Sequence, residues 1–485
     1  MKKFRNCMVS IVAIVFIAFC GIFFTGCGAT TIVSVEKTNS VGYVDTYTIT
    51  YSNGETSTFE VTNGKDGTNG KDGTDGKDVS ITEIYNKYVE EYGKISYQDF
   101  LKQYLSVNTN GNASVINDCL QSTLKVYTKF YETTTSIGMW QTTQTKDVEF
   151  YTGSAVIYKM YEDYTYVITN YHVVYDSKAN SDNGGNIAVE IVGYLYGSEG
   201  APTKAETTTN GYSDYTYGDY AISFDYIGGS IENDIAVLRT ETSNITKINA
   251  NAKQVKLAET YYVGETAIAI GNPEDGGISV TEGIVSVDNE YITLNIDGTN
   301  RSYRSIRIDT ALYSGNSGGG LFNSNGELIG ITNAGDTEDQ NVNYAVPLSI
   351  ATGVADNIIY YYKSISSTDS TANAYKITLG VTVNSKNSKY TYDKSTGYGT
   401  VSEDIVVASV EQNSIAQAIG IQKDDVLKYI VINGEKHALL RSFNISDLQL
   451  TIRQNDTVNF VVLRDNTETT LTAYTVMQTN LNKIA

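Results

Sequence analysis

Histidine occurs only twice in 485 residues, at His172 and His437, and cysteine only four times. No cluster combines the two, which argues against a zinc site and leaves any imidazole base to be one of two residues. Cys7 and Cys20 lie in an apolar N-terminal run, so only Cys27 and Cys119 remain beyond it and no disulfide framework follows. Proline is scarce at 3, and 35 basic residues face 55 acidic ones for a formal charge of −20. No basic cluster lies beyond the extreme N-terminus, which argues against nucleic acid as a partner. Tyrosine is abundant at 39, and a hydrophobic content of 41% suffices for ordinary globular cores. The length suggests about three units.

The stretch that organises the rest is RIDTALYSGNSGGGLF, Arg307 to Phe322. Glycines and Asn316 surround Ser317 between two strand-like apolar runs, which places the serine on a tight, exposed turn. Glycine tolerates backbone angles closed to other residues, so such a turn can aim successive N–H groups into one concavity beside the hydroxyl. Acyl transfer needs that arrangement: a nucleophile, here Ser317, with the N–H groups of Gly315 and Ser317 as fixed donors for the oxyanion. Taken alone, the motif also fits a glycine-rich hairpin turn.

At the N-terminus, Lys2, Lys3 and Arg5 precede an apolar run from Cys7 to Phe24, the charged head and hydrophobic body of an export signal. The junction FTGCG resembles a bacterial lipoprotein signal, which implies either a lipidated Cys27 as the mature terminus or, if uncleaved, a membrane anchor within residues 1–27. Residues 28–80 follow with a hairpin pattern, TYTITYSNGETSTFEV around Asn53-Gly54, and then glycines at 64, 67, 70, 73 and 76. These are five Gly-Xaa-Yaa triplets, the period of a collagen triple helix. Without proline to stiffen so short a run, they read as a solvated spacer. Hairpin and triplets together resemble stalk segments of Gram-positive surface proteins. Residues 81–112 carry apolar residues near helical spacing, broken at Gly93 into two short helices. Cys119 reads as a buried thiol.

From residue 113 to 363 the pattern changes to many short strands with regular turns, a β-barrel or sandwich signature. YTYVIT alternates and delivers His172 at its end. A tyrosine- and glycine-rich insertion runs from Asp176 to about Tyr226, after which NDIAVLR places Asp234 just before an apolar run. A carboxylate there can be a strand-end cap or can orient an imidazole.

The pieces TNYHVV, NDIAVLR, AIGNP, TEGIVS, GNSGGGL and NYAVP, in that order, resemble the HtrA/DegP-like serine proteases. The resemblance implies a mainly β chain with a trypsin-like double β-barrel, His172 as general base, Asp234 as its orienter and Ser317 as nucleophile. The order His, Asp, Ser is that of the chymotrypsin group. In that fold the sixth residue before the nucleophile floors the pocket for the side chain preceding the scissile bond. Here it is Ala311, with Thr332 to Ala334 and Tyr344 as walls, which implies cleavage after small or medium aliphatic residues. Residues 375–476 resemble a PDZ domain, whose carboxylate-binding loop would be Leu379, Gly380 and Val381, with a helix from Ser446 to Gln454 as the other wall of a groove for peptide C-termini. The family further implies unfolded or damaged proteins as substrates, a homotrimer, no cofactor or metal, and a place at the outer face of the cell membrane. The rival reading is a non-catalytic chaperone-like or peptide-binding surface protein.

Overall fold

The computed structural model describes residues 32–41, 44–62, 81–93, 112–137, 142–179, 185–335, 339, 341–364 and 371–484. The apolar N-terminal run with Cys27, the glycine triplets and the segment expected as a second short helix after Gly93 lie outside the described residues. The chain divides into two compact units, Met1–Val107 and Asn108–Ala485.

In the first unit, β1 (Ile32–Val41), β2 (Val44–Tyr51) and β3 (Thr56–Thr62) form an antiparallel sheet in that order. Asn53-Gly54 turns β2 into β3, with Gly54 left-handed at φ 84° as a tight hairpin turn requires. Tyr47 lies opposite Phe59 and the rings stack at 5.3 Å, a cross-strand pair of the kind that fixes register. A helix, Ile81–Tyr92, ends at Gly93, whose φ of 96° terminates it.

The second unit opens with the helix Ala113–Leu120, after which the chain is almost continuously stranded. Its first sheet takes β4 (Thr123–Ile137), β5 (Thr142–Met160), β6 (Tyr164–Thr169), β7 (Glu190–Leu195), β10 (Ile222–Ser223), β11 (Asp225–Ser230) and β12 (Ile235–Glu241). Between β7 and β10 stands a separate hairpin of β8 (Thr203–Thr209) and β9 (Tyr212–Thr216), turned by left-handed Asn210 and Gly211. The stretch expected as one long insertion therefore contributes to the first sheet itself, since β7 pairs along β4. EIVGYL is buried from its second residue onward, as a central strand should be.

The second sheet comprises β13 (Lys256–Leu257), β14 (Thr266–Gly271), β15 (Ser279–Asn295), β16 (Asn300–Ile308), β17 (Gly320–Phe322), β18 (Glu327–Gly335) and β19 (Asn343–Pro347). It runs β13-β18-β17-β14-β15-β16-β19, and β19 also pairs with β18, so six strands close into a barrel. After Pro347 the helix Leu348–Ser364 buries Ile350, Ala351, Val354, Ala355, Ile358 and Ile359, a stripe at helical spacing that packs into a core shared with both sheets.

The C-terminal region is β-rich and is tied to the barrels at both ends. β20 (Ala372–Ile377) pairs in parallel with β11, and the last strand, β28 (Leu481–Ile484), pairs with β20. Between them lie β21 (Val381–Asp393), β22 (Tyr398–Val410), β23 (Val426–Ile432), β24 (Glu435–Ala438), β25 (Thr457–Arg464), β26 (Thr467–Thr470) and β27 (Tyr474–Thr475) around a core of their own. Two polar clamps hold this region to the rest. The buried side chain of Asn357 bonds both backbone groups of Tyr375 and the Leu450 carbonyl. Arg304 of β16 pairs with Asp447 in near-complete burial, with Ser349 also bonded to that carboxylate.

Candidate active site

β6 ends in a single helical turn, Tyr171–Val174, that swings His172 out of the core. Asp234, immediately before β12, is fully buried and holds φ 49°, a left-handed angle uncommon outside glycine that aspartate adopts more readily than most residues. The arrangement is over-determined by hydrogen bonds. The His172 backbone N–H donates to Asp234 Oδ1 at 2.9 Å, the ring Nδ1 lies 2.8 Å from Oδ2, and the Asn170 amide donates to the Asp234 carbonyl at 2.9 Å. An acceptor-only carboxylate facing Nδ1 selects the tautomer that carries its proton there, which leaves the Nε2 lone pair available as a base. Burial works against the imidazolium, but the Asp234 charge and its hydrogen bond outweigh it and hold His172 above the usual histidine range.

Ser317 arrives from the other sheet, on the turn that enters β17. Two glycines there are obligatory. A Cβ on Gly315 (φ 94°) would sit 2.2 Å from the Asn272 carbonyl oxygen, and one on Gly318 (φ 86°) 2.1 Å from that of Ser154. The backbone N–H groups of Gly318 and Gly319 bond Thr332 and Asn316. Those of Gly315 and Ser317 donate to nothing among the described residues. Two unsatisfied donors, one residue apart and beside a hydroxyl, match what a developing oxyanion requires. The Ser317 hydroxyl donates to the Asn333 carbonyl at 3.0 Å, and no hydrogen bond joins it to His172.

Ser154 of β5, which sequence reasoning missed, joins the two halves. Its N–H donates to the Ser317 carbonyl, its hydroxyl donates to the Gly315 carbonyl at 2.8 Å and accepts from the Asn272 N–H at 2.8 Å, and its carbonyl accepts from the Thr169 hydroxyl. A Cβ on Gly153 beside it would meet both Val173, at 2.7 Å, and the Ser317 carbonyl oxygen, at 3.2 Å. The histidine turn and the serine turn thus meet across β5.

Residues 153–331 match the family described as "Trypsin-like peptidase domain". The chain is 27% identical over 325 residues to the serine protease Do-like HtrA of Lactococcus lactis subsp. cremoris (strain MG1363), covering 64% of this chain and 68% of that one. It is 28% identical over 253 residues to the serine endoprotease DegS of Escherichia coli (strain K12), covering 50% and 64%. The chain carries a trypsin-like peptidase domain and is similar to HtrA-type serine proteases. A solved structure, "HtrA-type protease AlgW with tripeptide", covers 77% of this chain and 97% of its own at 23% identity, with a TM-score of 0.44.

Ala311 is half-buried, its carbonyl accepts from the Thr281 hydroxyl, and the neighbouring Thr310 carbonyl accepts from Asn343. Tyr344 lies in register with Ala334 across β18 and β19. In the C-terminal region Leu379 is buried and its carbonyl accepts from the Ala416 N–H at 2.8 Å. Gly380 takes φ 71°, and Val381 opens β21, an edge strand bonded on one side to β22. The facing helix is Phe443–Gln449 rather than Ser446 to Gln454. Both the hydroxyl and the N–H of Thr451 bond the Leu448 carbonyl and close the helix there, and Ile452 turns into the core at 0% exposure.

Cys119 is buried, and burial, then the neighbouring Asp118, pushes its thiol up to about 11. A thiol so raised is a poor nucleophile at neutral pH.

Proposed function

We propose that this serine endopeptidase cleaves unfolded or damaged protein chains through His172, Asp234 and Ser317. One observation carries the reading: a buried carboxylate fixes the imidazole tautomer in the half-site that meets, across Ser154, a serine flanked by two unbonded amides. On substrate binding the Ser317 proton leaves the Asn333 carbonyl for His172 Nε2, and Oγ attacks the scissile carbonyl. The amides of Gly315 and Ser317 take the oxyanion, and the imidazolium, held by Asp234, then protonates the leaving amine. The deciding experiment is degradation of casein by the intact protein and by its Ser317→Ala form. Equal rates would sink the assignment and favour the non-catalytic binder.

Three accompanying readings have their own tests. Leu379, Gly380 and Val381 form the carboxylate loop of a PDZ groove, supported by the open edge of β21; peptides with a free apolar C-terminus should bind and their amidated forms should not. Cys27 carries a lipid that holds the protein at the outer face of the membrane, supported by FTGCG after the apolar run. Membrane retention of Cys27→Ala equal to the parent would refute lipidation. The protein works as a homotrimer, as its resemblance implies, and sedimentation as a monomer at working concentration would refute that.

A further inference from the structure

The turn that carries Ser317 rests on a neighbour. The loop Asn272–Gly277 leaves β14, passes beneath that turn and enters β15. The peptide unit between Ser314 and Gly315 points its carbonyl and its N–H in opposite directions, as every trans peptide must. Only one orientation offers the Gly315 donor to a substrate. Here the Ser314 carbonyl is taken up by the backbone N–H of Glu274 at 2.7 Å, which turns the Gly315 amide the other way.

The loop that supplies this bond is in an unfavourable backbone conformation. Glu274 and Asp275 are consecutive non-glycine residues with φ of 50° and 60°, and such angles persist only where surrounding contacts impose them. A side-chain anchor does so. Asp275 Oδ1 accepts from the Tyr127 hydroxyl at 2.6 Å and pairs with Lys125 Nζ at 2.8 Å. Both partners stand on β4, in the opposite sheet, at 5% and 4% exposure for Lys125 and Tyr127. Burial disfavours the Asp275 carboxylate, yet the bonds from Lys125 and Tyr127 outweigh it and hold this carboxyl below its ordinary range.

We propose that Asp275 is a positioning residue for the oxyanion turn: anchored to Lys125 and Tyr127, it keeps the Glu274 N–H on the Ser314 carbonyl and thereby presents the Gly315 amide to the carbonyl under attack. Asp275 itself does not touch substrate. The assignment rests on the reading of Ser317 as nucleophile, and it makes the donor geometry of the second sheet depend on charges placed in the first.

The test uses the full chain. Asp275→Gly accepts the left-handed angle without strain while removing the anchor, and Lys125→Met/Asp275→Gly avoids leaving a buried ammonium unpaired. In both, kcat on casein should fall by about ten- to a hundred-fold with KM within about twofold; the melting transition should stay close to the parent in Lys125→Met/Asp275→Gly and fall in Asp275→Gly, where Lys125 is left unpaired. A peptide aldehyde ending in valinal, whose adduct with Ser317 places an oxygen at the donors, should lose affinity in the same proportion as kcat. Lys125→Arg, which keeps the ion pair, should retain most of kcat. Parental kcat in a normally melting Lys125→Met/Asp275→Gly protein would overturn the anchor alone, as would a raised KM at unchanged kcat or a loss of kcat across the two variants that tracks the melting temperature. Undiminished casein cleavage by Ser317→Ala would overturn the nucleophile on which the anchor depends.

Discussion

The half of the site carried by the first sheet and the half carried by the second are satisfied to different degrees. Asp234 grips His172 through two bonds of 2.9 and 2.8 Å and is itself held through Asn170. On the other side, Ser317 gives its proton to a backbone carbonyl, and the amides of Gly315 and Ser317 bond nothing among the described residues. The contrast fits the role proposed for each half. The imidazole and carboxylate work as a pair whether or not substrate is present, so their contact can be completed by the fold. As the proposed oxyanion donors, the amides serve a charge that exists only during reaction, so any partner supplied by the fold would compete with the transition state.

The sharpest way to break the comparison is to remove one member from each half. Ser317→Ala and His172→Ala should each lower kcat by about 10⁵- to 10⁶-fold, and the double variant should lose little more, because the two act as one unit. Strictly additive losses, measured on casein or on a peptide substrate, would show that the halves act independently.

Asp234→Asn tests the completed half by itself. Asparagine can offer an N–H to Nδ1 and so favour the wrong tautomer, with an expected fall of about 10⁴-fold in kcat. The sign of the accompanying pH effect follows from the cause of the shift. His172 must be neutral to accept a proton, and the charge of Asp234 raises its pKa against the opposing effect of burial. Activity in the parent should therefore be lost as pH falls through a value above the ordinary ~6.5. Without the carboxylate, burial alone remains, and the acid limb of the residual activity should move to lower pH. A pH–rate profile with the limb unmoved would show that Asp234 does not set this titration.

Gly315→Ala tests the open half. A methyl group 2.2 Å from the Asn272 carbonyl oxygen cannot be accommodated without moving the backbone, and the donor moves with it. The loss should be about 10²- to 10³-fold in kcat, the effect of one missing oxyanion donor, with substrate binding little changed. A kcat within a few-fold of the parent would mean that the Gly315 amide is not used.

The same division describes what was legible in the sequence. His172, Asp234 and Ser317 each announce themselves locally: a residue at the end of an alternating strand, a carboxylate before an apolar run, a serine among glycines. Residues that join distant segments do not. Ser154 bonds Gly315 across 161 positions and Tyr127 bonds Asp275 across 148, and no local pattern marks a serine or a tyrosine in a strand as a link to a loop of the other sheet. Boundaries failed for local reasons. The helix expected from Ser446 stops at Gln449 because the Thr451 hydroxyl takes a helix carbonyl. β7 was hidden inside an apparent insertion because five buried residues are few beside the polar, tyrosine-rich sequence around them.

The smallest expected effect concerns the pocket next to the open half, and there the two halves trade places, because selectivity rests on apolar burial rather than on charge. As the proposed floor of that pocket, Ala311 stands where a trypsin-type enzyme would carry aspartate, and Thr310 and Leu312 on either side bring no charge. A lysine or arginine entering would shed hydration with no countercharge to meet it, at a cost of several kcal/mol. Valine, alanine, isoleucine and leucine would each gain only about 1 to 3 kcal/mol from burial, and they differ from one another by less. The expected pattern is cleavage mainly after small or medium aliphatic residues, with preferences among them no sharper than about ten- to two-hundred-fold. Ala311→Asp should reverse the ranking toward lysine and arginine. Sequencing the fragments of a digested unfolded protein checks both statements: a majority of cuts after Lys, Arg, Asp or Glu in the parent would refute Ala311 as the floor, and an unchanged pattern in the variant would refute it independently.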